Sequence, residues 1–261
     1  MLLLKIENGS DVIAMLSGEK EVTLVYEPGY KPGDCLVIES DKQESFLILQ
    51  LDDAMSPAFV YLAGTKYSLP VPFEEKRASY SPRVFTGEKH VLYARLATDE
   101  EIAMRKNLAF NPYDGHGNQS LFPHATANVE TRGESVFAAR NAIDGFKANL
   151  SHGSWPFQSW GINRDPEAEI KIDFGREVVI DRSVIYLRAD FPHDAWWEQV
   201  TYNFSDGSSI DAKLEKTSEG QVVDFAPKTV QWVILNKLIK ADDPSPFPAL
   251  NQLEFYGTEK L

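Results

Sequence analysis

The chain of 261 residues has one cysteine, Cys35, so no internal disulfide can staple it and an oxidised scaffold is excluded. Basic charge is scarce: 26 Lys and Arg stand against 39 Asp and Glu, a formal charge of −13 with no local basic patch. Nucleic acid and anionic membrane are therefore not expected as partners. Long apolar runs are missing too. No segment could span a bilayer, and the opening MLLLKIENGSDV holds an apolar stretch too short for a signal peptide, with no basic residue before it. As written, the chain is expected to be soluble and cytoplasmic, without an export signal.

Catalytic signatures are equally sparse. The five histidines, His90, His116, His124, His152 and His193, show no zinc-site spacing such as His-Glu-x-x-His. There is no Gly-x-Ser-x-Gly elbow, phosphate loop or dinucleotide fingerprint. Asp190 with Asp194 or Glu198 is the one acidic pair worth inspecting, and such a pair in a loop is more often solvated or ion-paired than catalytic.

What is there is strand rhythm. KEVTLVYE, DCLVIES, SFLILQL, AFVYLAG and KHVLYARLA fall in the first hundred residues, separated by PGYKPGD, DDAMSP and the proline-bearing SLPVPFEE. One short helix is expected in TDEEIAMRKNL, where Thr98 and Glu101 are spaced as a capping box before Ile102, Met104 and Leu108. AFNPYDGHGNQSLFP then loses all periodicity. Strands resume in AEIKIDF, where Ala168, Ile170, Ile172 and Phe174 alternate with Glu169, Lys171 and Asp173, the period of a sheet with one wet face. VVIDRSVIYLRA, EQVTYNFSDGSSIDAKL and TVQWVILNKL continue it, with Ser205, Asp206 and Gly207 suited to a tight hairpin turn. The reading is all-β in two sandwiches: a domain of unknown role over 1–110, a linker or strap over 111–123, and a second domain over 124–261.

HATANVE at 124–130, NAIDG at 141–145, PEAEIKIDFGREVVIDRSVIYLR at 166–188 and LNQLEFYG at 250–257 occur in one order with sensible gaps. Together they resemble discoidin-like domains of the factor V/VIII C-terminal type, which include carbohydrate-binding module family 32, over roughly residues 121–258. The resemblance implies an eight-stranded jelly roll of the galactose-binding-like fold whose end loops bind a sugar, a phospholipid head group or a protein. Fold alone does not choose among these.

Four of the five tryptophans lie in two loop segments, SHGSWPFQSWGINRD and RADFPHDAWWEQ. Sugar sites use this composition because an aromatic ring stacks on the apolar face of a pyranose while polar side chains bond its hydroxyls. The resemblance places Ser151 and His152 where family binders carry Trp-His, so the histidine matches and the tryptophan does not; Trp155 and Trp160 follow soon after. Stacking is assigned to Trp155, Trp160 or Trp196, and hydrogen bonding to His152, Arg188, Asp190 and His193. Adjacent Trp196 and Trp197 on an extended chain face opposite ways, so one is inward. Arg188 serves equally well as a strand-end ion pair with Asp190 or a neighbouring carboxylate. The resemblance also implies a structural calcium ion held by Asp144, Asn149 and Gln252, against the plainer reading that Asp144 caps a turn.

The function expected is non-catalytic binding of a glycan or small saccharide. One rival is an assembly protein whose aromatic loops form an interdomain or homo-oligomer interface. Another is a glycan hydrolase with its site in an interdomain cleft lined by NPYDGHGN.

Overall fold

The computed structural model describes residues 1–150 and 152–260. Ser151 lies outside the described residues. The chain is all-β apart from short 3-10 turns and one five-residue α-helix, and no described helix is long and apolar enough to cross a membrane.

The first half is two sheets face to face. One is β1 (Leu2–Asn8), β2 (Asp11–Gly18), β4 (Asp34–Ser40) and β7 (Lys66–Pro70), in the order β2-β1-β4-β7. The other joins β3 (Glu21–Tyr26), β5 (Ser45–Gln50), β6 (Ala58–Leu62) and β8 (His90–Leu96). Alternation builds the core between them: Leu2, Leu4 and Ile6 point in from β1, and Val22, Leu24 and Tyr26 from β3. Five of these strands coincide with the expected runs, whereas β1, β2 and β7 were not anticipated. Pro70, read as a break, closes β7 at a sheet edge, where its missing N–H disturbs no ladder.

The capping box forms as expected: Glu101 N–H donates to Thr98 Oγ1 at 3.3 Å and Thr98 N–H to the Glu101 carboxylate at 2.9 Å. The helix α1 (Asp99–Ala103) then stops short, leaving Leu108 on extended chain that enters the second core.

The second half is one eight-stranded sheet bent around its own core. Its strands are β9 (Lys106–Asn107), β11 (His124–Ala127), β12 (Trp160–Gly161), β13 (Ile170–Leu187), β14 (Trp197–Phe204), β15 (Ser209–Lys213), β16 (Gln221–Lys240) and β17 (Ala249–Glu259). Ala168, Ile170, Ile172 and Phe174 are all 0% exposed, as their alternation requires. The 204–208 turn closes the β14–β15 hairpin, with Phe204 N–H donating to the Ser208 carbonyl at 2.9 Å.

Residues 106–125 interlace the two cores. Leu108 and Ala109 sit in the second, Phe110, Tyr113 and Leu121 pack with the first, and β10 (Leu121–Phe122) pairs with β6. Two rings of this segment lie where no side chain could: a Cβ on Gly145 would meet Phe110 at 2.4 Å, and one on Gly175 would meet Phe122 at 2.4 Å. Both glycines also have positive φ, which other residues adopt reluctantly.

Asp114, at 0% exposure, is the hub of the segment. Its carboxylate accepts from Asn118 Nδ2 (2.9 Å) and from the Ala125 N–H (2.9 Å), and contacts His124 Nδ1 at 2.7 Å. Arg140 completes the joint from the second half. Its guanidinium donates to the carbonyls of Asp114 (2.8 Å) and Pro112 (2.9 Å) and lies 4.5 Å from the Tyr80 ring centroid in the first half.

Removing a partner from a buried charged cluster leaves an uncompensated group, a cost of about 3–5 kcal/mol. Asp114→Ala is expected to lose that much, read from urea denaturation followed by tryptophan fluorescence. Burial opposes the charged form of His124, but the Asp114 carboxylate outweighs it and holds the His124 pKa above the ordinary histidine value. The pair's contribution is therefore complete below about pH 6.5 and disappears as pH rises through the raised value. In His124→Gln that part of the pH dependence should vanish.

Candidate functional site

The end of β13 and the loops at 152–158, 188–196 and 243–248 converge at one end of the second sheet. Arg188, the residue after β13, is 1% exposed, with its backbone N–H bonded to the Ala249 carbonyl at 3.0 Å. Its Nε lies 3.2 Å from Asp194 Oδ2, and its ring-facing side 5.6 Å from the Phe157 centroid. The ion-pair reading of Arg188 is thus met by Asp194, two residues beyond a proline, rather than by Asp190.

Asp194 organises the loop. Its carboxylate accepts from the Asp190 N–H at 2.9 Å and contacts His193 Nδ1 at 3.1 Å. Arg188 Nη2 donates to His152 Nδ1, and Asp190 Oδ2 stands 3.5 Å from the same nitrogen. The rings of His152 and His193 are 3.8 Å apart, and His193 stacks on Phe247 with centroids 5.4 Å apart. Four predicted residues, His152, Arg188, Asp190 and His193, therefore meet in one cluster.

The proton positions follow from the partners. An arginine only donates, so neutral His152 accepts at Nδ1 and carries its proton on Nε2. His193 donates from Nδ1 to Asp194. Burial first, then Arg188 and His193, depress the His152 pKa and favour this neutral form. Ligand atoms of His152, His193 and Asp194 lie within 4.8 Å of one another. The His152 lone pair is spent on Arg188, however, so the cluster is arranged for hydrogen bonding rather than for a cation.

The tryptophans divide. Trp160 is 0% exposed in the core and donates its indole N–H to the Val129 carbonyl at 2.9 Å, which removes it as a stacking residue. Its place in the short strand β12, paired with β17 and with its ring 6.4 Å from that of Trp197, buries it. Trp197 is also 0% exposed, while Trp196 is half-buried beneath Lys216 Nζ, 4.9 Å from the ring centroid; one faces in and its neighbour out. Trp155 is half-buried and edge-on to Phe146 at 5.0 Å. Phe247, 42% exposed, is the ring that sequence reasoning missed. Its signal was an aromatic between prolines in the PSPFPAL loop, just before β17.

The implied calcium residues lie elsewhere and do not suit the ion. Asp144 is 4% exposed, and its carboxylate already accepts from the Phe146 N–H (2.8 Å) and Gln158 Nε2 (3.2 Å). The Gln252 amide oxygen takes the Gly145 N–H at 3.1 Å. Calcium needs converging, unencumbered oxygens, and here N–H groups point at the same atoms. Asn149 has both amide atoms buried without a hydrogen-bond partner and supplies no such shell by itself. The arrangement is a capped turn.

The interdomain readings can be placed as well. A cavity of about 40 Å³ lies between Met55, Tyr80, Arg140 and Phe146, room for water and not for a saccharide. The 115–120 loop instead borders a groove of about 520 Å³ against β7, and no Asp or Glu lines it.

No family model matches the chain, and no curated protein matches it. The solved structures it resembles include carbohydrate-binding modules. Chitosan-binding module 1 of a Paenibacillus sp. IK-5 chitosanase/glucanase is 20% identical, covers 58% of this chain and 99% of its own, and has a TM-score of 0.38. The family 32 module of C. perfringens NanJ, in complex with galactose, is 18% identical over 51% of this chain and 91% of its own, TM-score 0.38. The Streptococcus pneumoniae fucose-binding module SpX-3 is 15% identical over 59% and 99%, TM-score 0.43. Nothing about this chain's ligand follows from matches this distant.

Burial pushes the Asp144 carboxyl up to about 7, against the opposing pull of Arg140 and its two hydrogen bonds. The unfolded side chain titrates near 4, so folding takes up a proton between about pH 4 and 7 and stability falls as pH rises across that window. Asp144→Asn is expected to flatten this decline, measured as melting temperature against pH. Melts in EDTA and in millimolar calcium chloride should superimpose.

Proposed function

We propose that the second half recognises an uncharged saccharide through the His152–His193–Asp190 face. One observation carries this reading: two adjacent imidazoles, each engaged at Nδ1 by one member of the buried Arg188–Asp194 pair, which leaves both Nε2 atoms for a ligand. His152 Nε2 offers a proton. A pair of neighbouring hydroxyls satisfies both Nε2 atoms, since each hydroxyl donates and accepts. Asp190, 31% exposed in its side chain, adds an acceptor, and Phe247 gives the apolar flank. Arg188 is already paired with Asp194, and the exposed Arg164 guanidinium lies 5.2 Å from the Phe247 centroid at the edge of the face. Trp196, packed under Lys216, and Trp155, packed on Phe146, have no part in this reading.

The support is geometric: polar groups converge in fixed directions beside an exposed ring, and no competing carboxylate pair lines either interdomain space. An NMR or calorimetric titration against a panel of neutral mono- and oligosaccharides tests it, and a panel with no binder defeats it. His152→Ala and His193→Ala should each weaken binding about tenfold, the worth of about one well-placed hydrogen bond. Trp160→Phe should lower stability and leave affinity unchanged. Affinity should fall as pH drops below the ordinary histidine range, because a protonated His152 turns its Nδ1–H against the Arg188 donor.

A further inference from the structure

The most anomalous surface lies on β2, far in sequence from the histidines. Val12, Ile13, Met15 and Leu16 are 49%, 44%, 63% and 47% exposed, four large apolar side chains on one strand. β2 is the edge of its sheet, bonded to β1 alone among the described residues, so its outer row of N–H and C=O groups faces away from the fold. Edge strands are normally guarded by lysine, proline or an inward charge. β2 has none of these: Val12 through Gly18 carry neither charge nor proline. Its one irregularity is a bulge at Ile13, beyond which residues 14–18 run regularly.

We propose that β2 is the seam of a homodimer, pairing antiparallel with β2 of a second copy about a two-fold axis. Charge selects the occupant. Copies of a chain carrying −13 repel one another over most of their surface. At β2 that repulsion is missing. Residues 12–18 are uncharged, the strand's one charge being Asp11 at its start, and on the outer face beside them Lys5 and Lys66 are balanced by Glu7 and Glu39, at 2.8–3.7 Å. Identical strands also complement each other in composition. With the axis at Met15, Ala14 meets the partner's Leu16, and Met15 meets its own copy. Such an isologous contact consumes both free edges at once and stops at two chains.

The inference stands independently of the saccharide reading, though a dimer would carry two such faces and bind a multivalent glycan with an avidity one copy lacks. Size-exclusion chromatography with light scattering, over micromolar to hundred-micromolar chain, tests it. The expected mass is twice 29.3 kDa. Met15→Lys and Leu16→Lys should return it to 29.3 kDa and melt as the wild type does when diluted to single chains, because both side chains are exposed in the single chain. Val222→Lys, at an equally exposed apolar site in β16, should leave the dimer intact. Amide exchange should show residues 11–18 protected in the wild type and open in Met15→Lys. A wild type of single mass throughout, a dimer that survives both β2 variants, or open-ended oligomers would each overturn the proposal. So would a wild type that gains mass only in the presence of another protein.

Discussion

A carboxylate with no access to water has to be surrounded by donors, and Asp114 is where this molecule meets that requirement. Its donors come from its own loop, from the backbone of β11 and from His124, so compensating one charge fixes the path of the chain between the two cores. Arg140 extends the same joint by taking the carbonyls that the loop leaves over. Phe110 and Phe122 then seat on glycines of the second half with no room for a side chain. The joint is thus polar at its centre and apolar at its margins. Its relative orientation is set by directional bonds, with packing filling the remainder.

The same device recurs in miniature at the sheet end. Arg188 and Asp194 are both nearly free of solvent, and each spends its remaining hydrogen-bonding capacity on a neighbour that is exposed. The buried pair therefore acts as a frame, and the histidines are what the frame presents. A binding surface on loops gains direction when the groups beneath it cannot rotate.

Much of this was legible in the sequence wherever the information is local. The alternation of Ile170, Ile172 and Phe174, the Thr98 capping box and the split between Trp196 and Trp197 each depend on a few adjacent residues, and each is found in the structure. The gathering of His152, Arg188, Asp190 and His193 was also anticipated, from their place in the resemblance. What escaped is set by contacts between distant segments. Trp160 looks like a loop aromatic until β17 pairs with it. Asp194 stood out only as half of an acidic pair, and its choice over Asp190 as the partner of Arg188 is made by burial of both groups. Phe247 acquires a role only because the 243–248 loop returns beside His193, and the interlacing at 106–125 has no periodic signal because its order comes from side-chain hydrogen bonds.

The pairing of β9 with β17 has a consequence for biosynthesis. Asn107 bonds the backbone of Phe255, 148 residues further along, and β17 also lies against the full upper part of β13. The second core is therefore open along one side until residue 255 has been translated and released. Up to then Leu108, Ile180 and Ile185 have no complete partner. The first sandwich, by contrast, needs only residues through about 121. The first sandwich can thus close during synthesis while the second still waits for β17.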